Sequence, residues 1–189
     1  MIKYNICFMN RGTEVLLLNR ERSSWMGCWN GIGGKLESGE TPRDSMIREI
    51  FEETGIADYE LHFKGLITWN NGDSGYGGMY VYVADVPAAY ELATPLKTDE
   101  GILDWKKIDW ILHPDNLGIA SNVVRTLDTL LKDGRAYDHH CTYVEGQLVS
   151  YEKKEIALEL ETDAGLRERF FQQYALRRAE KGSIEKLSL

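Results

Sequence analysis

The chain has 189 residues, 43% of them apolar and 11% aromatic, and a formal net charge of −8. A chain of this length buries roughly two thirds of its unfolded surface, so its core can close without disulfides or a structural metal. The composition excludes a disordered chain, a collagen-like chain and a cysteine scaffold. The longest aliphatic run is Val15 to Leu18, which predicts neither a membrane span nor a secretory leader.

Cysteine usage and charge further restrict the class of protein to which the chain can belong. Cys7, Cys28 and Cys141 contain no C-x-x-C pair, which favours reduced thiols in a cytoplasmic protein. The excess of acidic residues argues against a protein that binds a long nucleic acid, because such binding requires many Lys and Arg contacts with phosphate. Between residues 36 and 60, eight acidic side chains stand against two arginines. This excess favours a cation site, with phosphate reached through the cation.

Short apolar runs in the first half of the chain indicate a sheet. Four runs predict strands: Lys3–Met9, Glu14–Arg20, Leu61–Thr68 and Met79–Val86. A Gly-containing turn at residues 10–13 joins the first two as a hairpin, and a polar, Gly-rich loop over residues 70–78 separates the last two. The Gly- and Trp-rich segment Trp25–Gly34 is too irregular for a helix or strand. It is either part of a site or a buried turn held by its tryptophans.

A helix is predicted over Thr41–Thr54. Thr41 can cap it, Asp44 completes a capping-box pattern, and Gly55 can end it. Its expected core stripe consists of Ile47, Ile50 and Phe51.

Further elements are predicted toward the C-terminus. Apolar spacing between Leu117 and Leu131 predicts a second amphipathic helix that ends near residues 133–134. A hairpin is expected around residues 145–147, followed by strand-like alternation of Ile156, Leu158 and Leu160. Spacing of four at Leu166, Phe170 and Tyr174 predicts a terminal helix, packed on the same domain or on a partner chain. We divide the chain into one domain, residues 1–154, and an extension, residues 155–189.

Three carboxylates share one face of the Thr41–Thr54 helix. Glu49, Glu52 and Glu53 lie at positions i, i+3 and i+4. Such a face can simply be solvated. Here, however, a Gly-rich loop carrying Glu37 and Glu40 runs into the helix and adds carbonyl and carboxylate oxygens. Oxygen ligands of this kind suit Mg²⁺ bound together with substrate phosphates.

The residues from Gly34 to Ile56 resemble the Nudix box. Gly34 is followed by five residues, Glu40, seven residues, and then Arg-Glu-Ile-Phe-Glu-Glu-Thr-Gly-Ile. The chain is thereby identified as a member of the Nudix hydrolases, which split nucleoside diphosphates linked to another group. The resemblance implies an α+β fold with a mixed sheet between helices, an α/β/α sandwich. It also implies Mg²⁺ as cofactor, with Mn²⁺ as the alternative.

The resemblance assigns roles residue by residue. The metal-binding groups it implies are Glu49, Glu52, Glu53, the Gly34 carbonyl, Glu37 and, from outside the box, Glu100. Glu49 and Glu53 would activate water, with their roles not separated, and Arg48 would orient a glutamate. The other interpretation of Glu100 is an exposed loop acid.

The base-binding residues are expected outside the box. Residues 29–35, Trp-Asn-Gly-Ile-Gly-Gly-Lys, resemble the MutT-type branch that hydrolyses oxidised purine nucleoside triphosphates. Asn30 offers a donor and an acceptor to a purine edge, and Trp29 and Lys35 adjoin it. Trp25 or Trp29 would stack on the base or lie in the core. Residues 113–116, His-Pro-Asp-Asn, resemble a second base-contacting element.

That second element departs from the branch pattern and has another interpretation. Asn116 replaces an acid and His113 replaces an aromatic residue, which puts the base preference in doubt. Asp115 and Asn116 also suit the N-cap of a helix. The run His139, His140 and Cys141 is assigned to structure, because neighbouring residues on a strand face opposite sides.

The expected activity is Mg²⁺-dependent hydrolysis of a purine nucleoside triphosphate, with 8-oxo-dGTP as the expected substrate, to the monophosphate and pyrophosphate. Other Nudix substrates are the enzymatic alternative: ADP-ribose, a dinucleoside polyphosphate or a capped RNA end. No proline occurs between Pro42 and Pro87, which weakens ADP-ribose. A nucleotide-sensing module without catalysis is a further alternative. The terminal helix leaves a homodimer open.

Overall fold

The computed structural model describes residues 2–70 and 76–173, excluding the side chain of Tyr76. The strands are β1 (Tyr4–Arg11), β2 (Glu14–Arg20), β3 (Trp29–Asn30), β4 (Glu60–Asn70), β5 (Tyr76–Asp85), β6 (Leu96–Lys97), β7 (Gly101–Lys107), β8 (Ala136–Val144) and β9 (Gln147–Ile156). The helices are α1 (Pro42–Thr54), α2 (Ile108–Ile111) and α3 (Ser121–Lys132). Residues 164–173, at the end of the described range, form a further helix, α4.

Within the described residues, these strands form one mixed sheet in the order β6-β7-β2-β1-β5-β4-β8-β9, with β3 paired to β2. The predicted hairpin of β1 and β2 is antiparallel, and so is the hairpin of β8 and β9. Parallel pairing joins β1 to β5 and β4 to β8. Both parallel pairs therefore lie within the four adjacent strands β1, β5, β4 and β8.

Helices cover both faces of the sheet. On one face α1 contributes Met46 and Ile50 to a buried cluster, which Leu160 joins from beyond β9. On the other face α3 contributes Val123 and Leu127 to a second buried cluster. This layering confirms the predicted α+β fold with its sheet between helices. Within the described ranges, no helix is long and apolar enough to cross a membrane.

Helix α1 has the predicted ends but not the predicted core stripe. The Thr41 hydroxyl accepts the Asp44 N–H at 3.1 Å, and Gly55 ends the helix in the left-handed conformation at φ +71°. Ile47 and Phe51 are 43% and 59% exposed, so their assignment to the core was wrong. Burial instead falls on Ser45, Met46, Ile50 and Thr54, because the helix turns its glutamate-bearing side toward the body of the protein.

Several boundaries differ from the sequence prediction. Helix α3 begins at Ser121, and Leu117, predicted at its start, is 89% exposed. The N-cap residue of α3 is Ala120, so the N-cap interpretation of Asp115 and Asn116 was wrong. Strand β9 ends at Ile156, and residues 158–161 form a 3₁₀ turn instead of a strand. Residues 71–75 of the predicted loop, and Tyr174 of the terminal helix, lie outside the described residues.

The chain after β9 returns to the α1 face. Leu160 is 2% exposed, and Leu166 and Phe170 pack against the same buried cluster. Arg43 of α1 donates to Glu161 at 2.7 Å. The described part of the extension thus packs on the domain itself through Leu160, Leu166 and Phe170. The predicted boundary between residues 154 and 155 lies inside β9.

Candidate active site

The Gly-rich loop after β3 runs along β1. Cys7 and Ile32 exchange both backbone hydrogen bonds, at 2.7 and 3.0 Å, and the Asn5 N–H donates to the Gly34 carbonyl at 3.0 Å. Gly33 has φ +153°, and a Cβ there would lie 2.3 Å from the Asn5 carbonyl oxygen. Only glycine therefore allows the loop to lie this close to the strand.

Asn5 ties the loop to helix α1. Its Oδ1 accepts the Gly34 N–H at 3.1 Å, and its Nδ2 donates to the Ser45 hydroxyl at 2.9 Å. A Cβ on Gly34 would lie 2.4 Å from a carboxylate oxygen of Glu49. Gly34 therefore leaves the space in which the Glu49 carboxylate sits.

Arg48 connects the acidic side chains around this loop. Its guanidinium donates to Glu40 at 2.7 Å, to Glu49 at 3.0 Å and to Glu52 at 2.9 Å. The hydrogen bond from Arg48 lowers the pKa of Glu40 to about 2, helped by the Glu37 backbone N–H. Glu40 is consequently ionised at neutral pH, and the Arg48 side chain is fixed between the carboxylates of Glu40, Glu49 and Glu52.

Glu53 is the buried carboxylate of the group. Burial, and after it the nearby charges of Glu49 and Glu100, raise the pKa of Glu53 to about 8 against the lowering effect of a hydrogen bond from the Gly33 backbone. Its Oε2 is buried and has no hydrogen-bond partner among the described residues. Burial also raises the pKa of Glu49, against the lowering effect of Arg48.

A cavity of about 1020 Å³ brings these carboxylates together with an aromatic surface. Glu49, Glu53 and Glu100 line it, as do two basic residues, Arg20 and Lys35. Its remaining lining includes apolar and aromatic residues from the central strands and adjoining loops: Ile6, Ile67, Trp69, Met79, Trp25 and Tyr143. The cavity thus combines an acidic site suited to a cation with apolar and aromatic groups suited to a flat ring.

The donor set fits a hard divalent cation. Glu53 has an unpartnered buried oxygen, and the mutual repulsion of Glu49, Glu53 and Glu100 is the kind of charge excess that a cation relieves. In the part of the chain that the structure describes, no three His, Cys, Asp or Glu side chains are grouped closely enough to hold a metal by themselves. Phosphate oxygens and water are the expected additional ligands of Mg²⁺.

The cavity contains about half of the side chains predicted for the site. Six of the predicted residues line it: Glu49, Glu53, Glu100, Gly34, Asn30 and Lys35. Arg48 holds Glu49 but is not itself a lining residue. Glu52 is 57% exposed and bound to Arg48. Glu37 is exposed, and its backbone N–H donates to Glu40.

Three predicted base contacts lie elsewhere. Trp29 packs edge-on against Trp110. The Lys106 ammonium lies over the Trp29 ring, 4.3 Å from the ring centre. Asn116 donates to the Trp110 carbonyl at 2.9 Å, and Asp115 is exposed. Within the described ranges, none of these three lines the cavity. Trp25 does line it, edge-on to Tyr143.

Sequence reasoning missed several polar lining residues, Arg20 and Asn122 among them. Arg20 is the last residue of β2, and its guanidinium lies 3.7 Å from the Glu100 carboxylate. The sequence around Arg20 does not indicate this contact, because it arises from pairing between strands far apart in the chain. Asn122 did leave a signal, because it is a polar residue on the stripe of α3 that also buries Thr126 and Leu130.

The His-His-Cys run of β8 is buried, as its structural assignment requires. His139, His140 and Cys141 are 0%, 6% and 0% exposed. His139 Nδ1 lies 2.7 Å from the Tyr151 hydroxyl, and burial lowers the pKa of His139 to about 4. His139 is therefore a neutral, buried core residue at physiological pH.

Comparison with known proteins agrees with this geometry. The NUDIX domain family matches residues 2–127. The uncharacterised Nudix hydrolase YvcI of Bacillus subtilis is 35% identical over 150 residues, covering 77% of this chain and 89% of YvcI. The oxidised purine nucleoside triphosphate hydrolase of Mus musculus is 31% identical over 113 residues, which cover 59% of this chain and 70% of the mouse protein. The crystal structure of the MutT protein of Bacillus halodurans superposes with a TM-score of 0.67 at 27% identity. The superposition covers 82% of this chain and 98% of the MutT chain.

The chain belongs to the Nudix hydrolase family, whose members act on pyrophosphate bonds. Nudix enzymes act on nucleotide substrates and generally use divalent metal ions.

Proposed function

We propose that the chain is a Mg²⁺-dependent pyrophosphohydrolase of purine nucleoside triphosphates, 8-oxo-dGTP in particular. The products are the monophosphate and pyrophosphate, and the role is to remove oxidised purines from the nucleotide pool. One observation carries the proposal: a single cavity is lined by the carboxylates Glu49, Glu53 and Glu100, by Asn30 and by aromatic rings. Its volume is sufficient for a nucleotide.

The acidic side supplies the chemistry. Glu49 and Glu53, with the Gly34 carbonyl and Glu100 beside them, would hold the divalent cation. When bound, the cation screens the phosphate charge and lowers the pKa of a coordinated water. The Glu49 and Glu53 pair receives the proton of the attacking water. Arg48 keeps the Glu49 carboxylate in place through its 3.0 Å hydrogen bond.

The other lining residues support a purine. Trp25, Trp69 and Tyr143 offer aromatic surface for stacking, and the Asn30 amide offers hydrogen bonds to a base edge. Arg20 and Lys35, also in the lining, can offset phosphate charge. The similarity to a mammalian hydrolase of oxidised purine nucleoside triphosphates supports the same substrate class.

A second candidate is a Nudix hydrolase of another nucleoside diphosphate-linked compound, such as ADP-ribose, a dinucleoside polyphosphate or an RNA 5′ end. One observation favours it: Asp115 and Asn116, expected to contact an oxidised purine, lie outside the cavity lining in the described part of the chain.

Substrate profiling distinguishes the two candidates. Release of pyrophosphate and phosphate is measured with Mg²⁺ or EDTA for 8-oxo-dGTP, dGTP, the other nucleoside triphosphates and ADP-ribose. We expect the highest kcat/KM for 8-oxo-dGTP, with Mg²⁺-dependent release of pyrophosphate. Turnover of ADP-ribose alone would retain the hydrolase and reject the sanitising role.

Matched variants test the residue roles. Glu49→Gln and Glu53→Gln each remove one carboxylate with little change of shape, and kcat should fall by about 10²- to 10⁴-fold. Glu91→Gln, the same change at an exposed position outside the cavity lining, should retain wild-type kcat. A Glu49 or Glu53 variant with near-native kcat in Mg²⁺ would refute that residue's role.

A further inference from the structure

Asn5 is a buried side chain that contacts both parts of the proposed cation site. It lies on β1, it is 3% exposed, and both ends of its carboxamide are hydrogen-bonded. Its Oδ1 accepts the N–H of Gly34, which is the loop residue whose carbonyl is an expected metal ligand. Its Nδ2 donates to the hydroxyl of Ser45, on the helix that carries the glutamates. A single carboxamide therefore connects the loop to the helix.

The backbone of Asn5 contacts the same loop residue. The Asn5 N–H donates to the Gly34 carbonyl at 3.0 Å. A carbonyl oxygen has two lone pairs, so this hydrogen bond leaves one of them for a cation. A Cβ on Gly34 would overlap the Glu49 carboxylate, which shows how closely this loop residue approaches the helix. Asn5 thus holds Gly34 at both its N–H and its carbonyl, immediately beside Glu49.

Ser45 extends this connection to the acidic side chains. It is fully buried on α1, and its Oγ lies 3.4 Å from an Arg48 Nη atom that donates to it. The pKa of Glu40 is lowered chiefly by Arg48, and the Ser45 hydroxyl contributes as a further hydrogen-bond donor. The Ser45 hydroxyl therefore accepts from Asn5 and donates to Glu40. Through Ser45, Asn5 is joined to the carboxylates that Arg48 holds.

We propose that Asn5 is a positioning residue, whose hydrogen bonds to Gly34 and Ser45 fix the distance between the carbonyl and the carboxylates of the cation site. These oxygens come from two different segments of the chain. Mg²⁺ requires near-octahedral geometry, so a change in that distance lowers its affinity. Groups behind the metal ligands typically alter metal affinity about ten- to a hundredfold. The assignment rests on the cation of the proposed function, but it does not depend on which nucleotide is hydrolysed.

Binding of Mn²⁺ without nucleotide tests the assignment, since oxygen ligands suited to Mg²⁺ also suit Mn²⁺. Free Mn²⁺ is measured by electron paramagnetic resonance for the wild type, Asn5→Leu, Ser45→Ala and Thr126→Val, after circular dichroism has verified folding. We expect Kd to rise about ten- to a hundredfold in Asn5→Leu and about tenfold in Ser45→Ala. Thr126→Val is the control and should keep the wild-type Kd. It also removes a buried helical hydroxyl, but one on α3 and outside the cavity lining in the described part of the chain.

A hydrolysis assay with 8-oxo-dGTP separates this proposal from the proposed function. The Mg²⁺ concentration at half-maximal rate should rise in parallel with the Mn²⁺ Kd, while KM at saturating Mg²⁺ stays near the wild-type value. The expected rise in Kd without any hydrolysis would support the assignment and refute only the proposed substrate. Ser45→Ala removes one oxygen atom, so it decides the question if Asn5→Leu does not fold. A wild-type Kd in either folded variant, an equal rise in Thr126→Val, or a wild type that binds no Mn²⁺ would overturn the assignment.

Discussion

Replacing Glu53 with Gln should stabilise the metal-free protein at alkaline pH while it lowers kcat about 10²- to 10⁴-fold. Glu53 titrates near 4.5 in an unfolded chain and near 8 in the folded protein, mainly because it is buried. A carboxyl whose folded pKa is raised favours the folded state in its protonated form. That contribution is complete below pH 4.5 and is lost as the pH rises through 8.

The magnitude follows from the two pKa values. Each tenfold change in acid dissociation corresponds to about 1.4 kcal/mol, so ionising Glu53 in the folded protein costs at most about 5 kcal/mol above pH 8. Gln avoids this cost, but its buried amide group lacks a partner where Oε2 now lies, at a cost of about 1–3 kcal/mol. The net gain in free energy of unfolding should be about 2–4 kcal/mol at pH 8.5.

Urea unfolding in EDTA, followed by tryptophan fluorescence at pH 5, 7 and 8.5, measures this gain. Glu52→Gln is the control, since it makes the same change at a side chain that is 57% exposed. Mg²⁺ should stabilise the wild type more than Glu53→Gln, because the cation compensates the buried charge. A difference between Glu53→Gln and the wild type that stays constant from pH 5 to 8.5 would refute the reasoning.

Three further substitutions test the framework of the site. Arg48→Lys should lower kcat at least about tenfold with little change in KM in steady-state assays, because a Lys ammonium cannot span the same carboxylates. Gly33→Ala should lower the free energy of urea unfolding by more than about 2 kcal/mol, since its Cβ would clash with the Asn5 carbonyl. Glu161→Gln should lower the melting temperature by a few degrees without changing kcat, because it weakens the contact with Arg43.

Each of these three has an outcome that would contradict it. Arg48→Lys with native kcat would show that Glu49 needs no positioning. Gly33→Ala with native stability would mean that the loop does not lie against β1. Glu161→Gln with an unchanged melting temperature would show that the extension is held without this ion pair.

Local signals in the sequence predicted the parts of the fold that are locally determined. The Thr41 cap and Gly55 stop fix helix α1, and both are read within one turn of the chain. The exposed face of α1 was not predictable in this way, because Ile47 and Phe51 look like core residues by spacing alone. Which face turns inward depends on the Gly-rich loop and β1, which the helix meets only in the folded protein.

The residues that line the cavity likewise include some that the local sequence predicts and others that it does not. Glu49 and Glu53 belong to a motif within one segment, so their position was available from spacing. Asn122 is marked in the sequence only as a polar residue on the buried stripe of α3. Arg20 reaches the cavity through the pairing of β2 with β7, which spacing does not record. The predicted contacts at Asp115 and Asn116 failed to reach the cavity for the same reason.

The carboxylates and the uncharged polar groups of the cavity should affect turnover in different ways. Glu53 is buried beside Glu49 and Glu100, which destabilises its ionised form until a cation arrives. A cation held by two or three carboxylates still has open coordination positions, which phosphate oxygens can fill. Asn30 lies in the same lining, and the proposed function assigns its amide to the base. Substitutions among the carboxylates should therefore change turnover of every substrate, whereas a substitution at Asn30 should change the ratio between substrates.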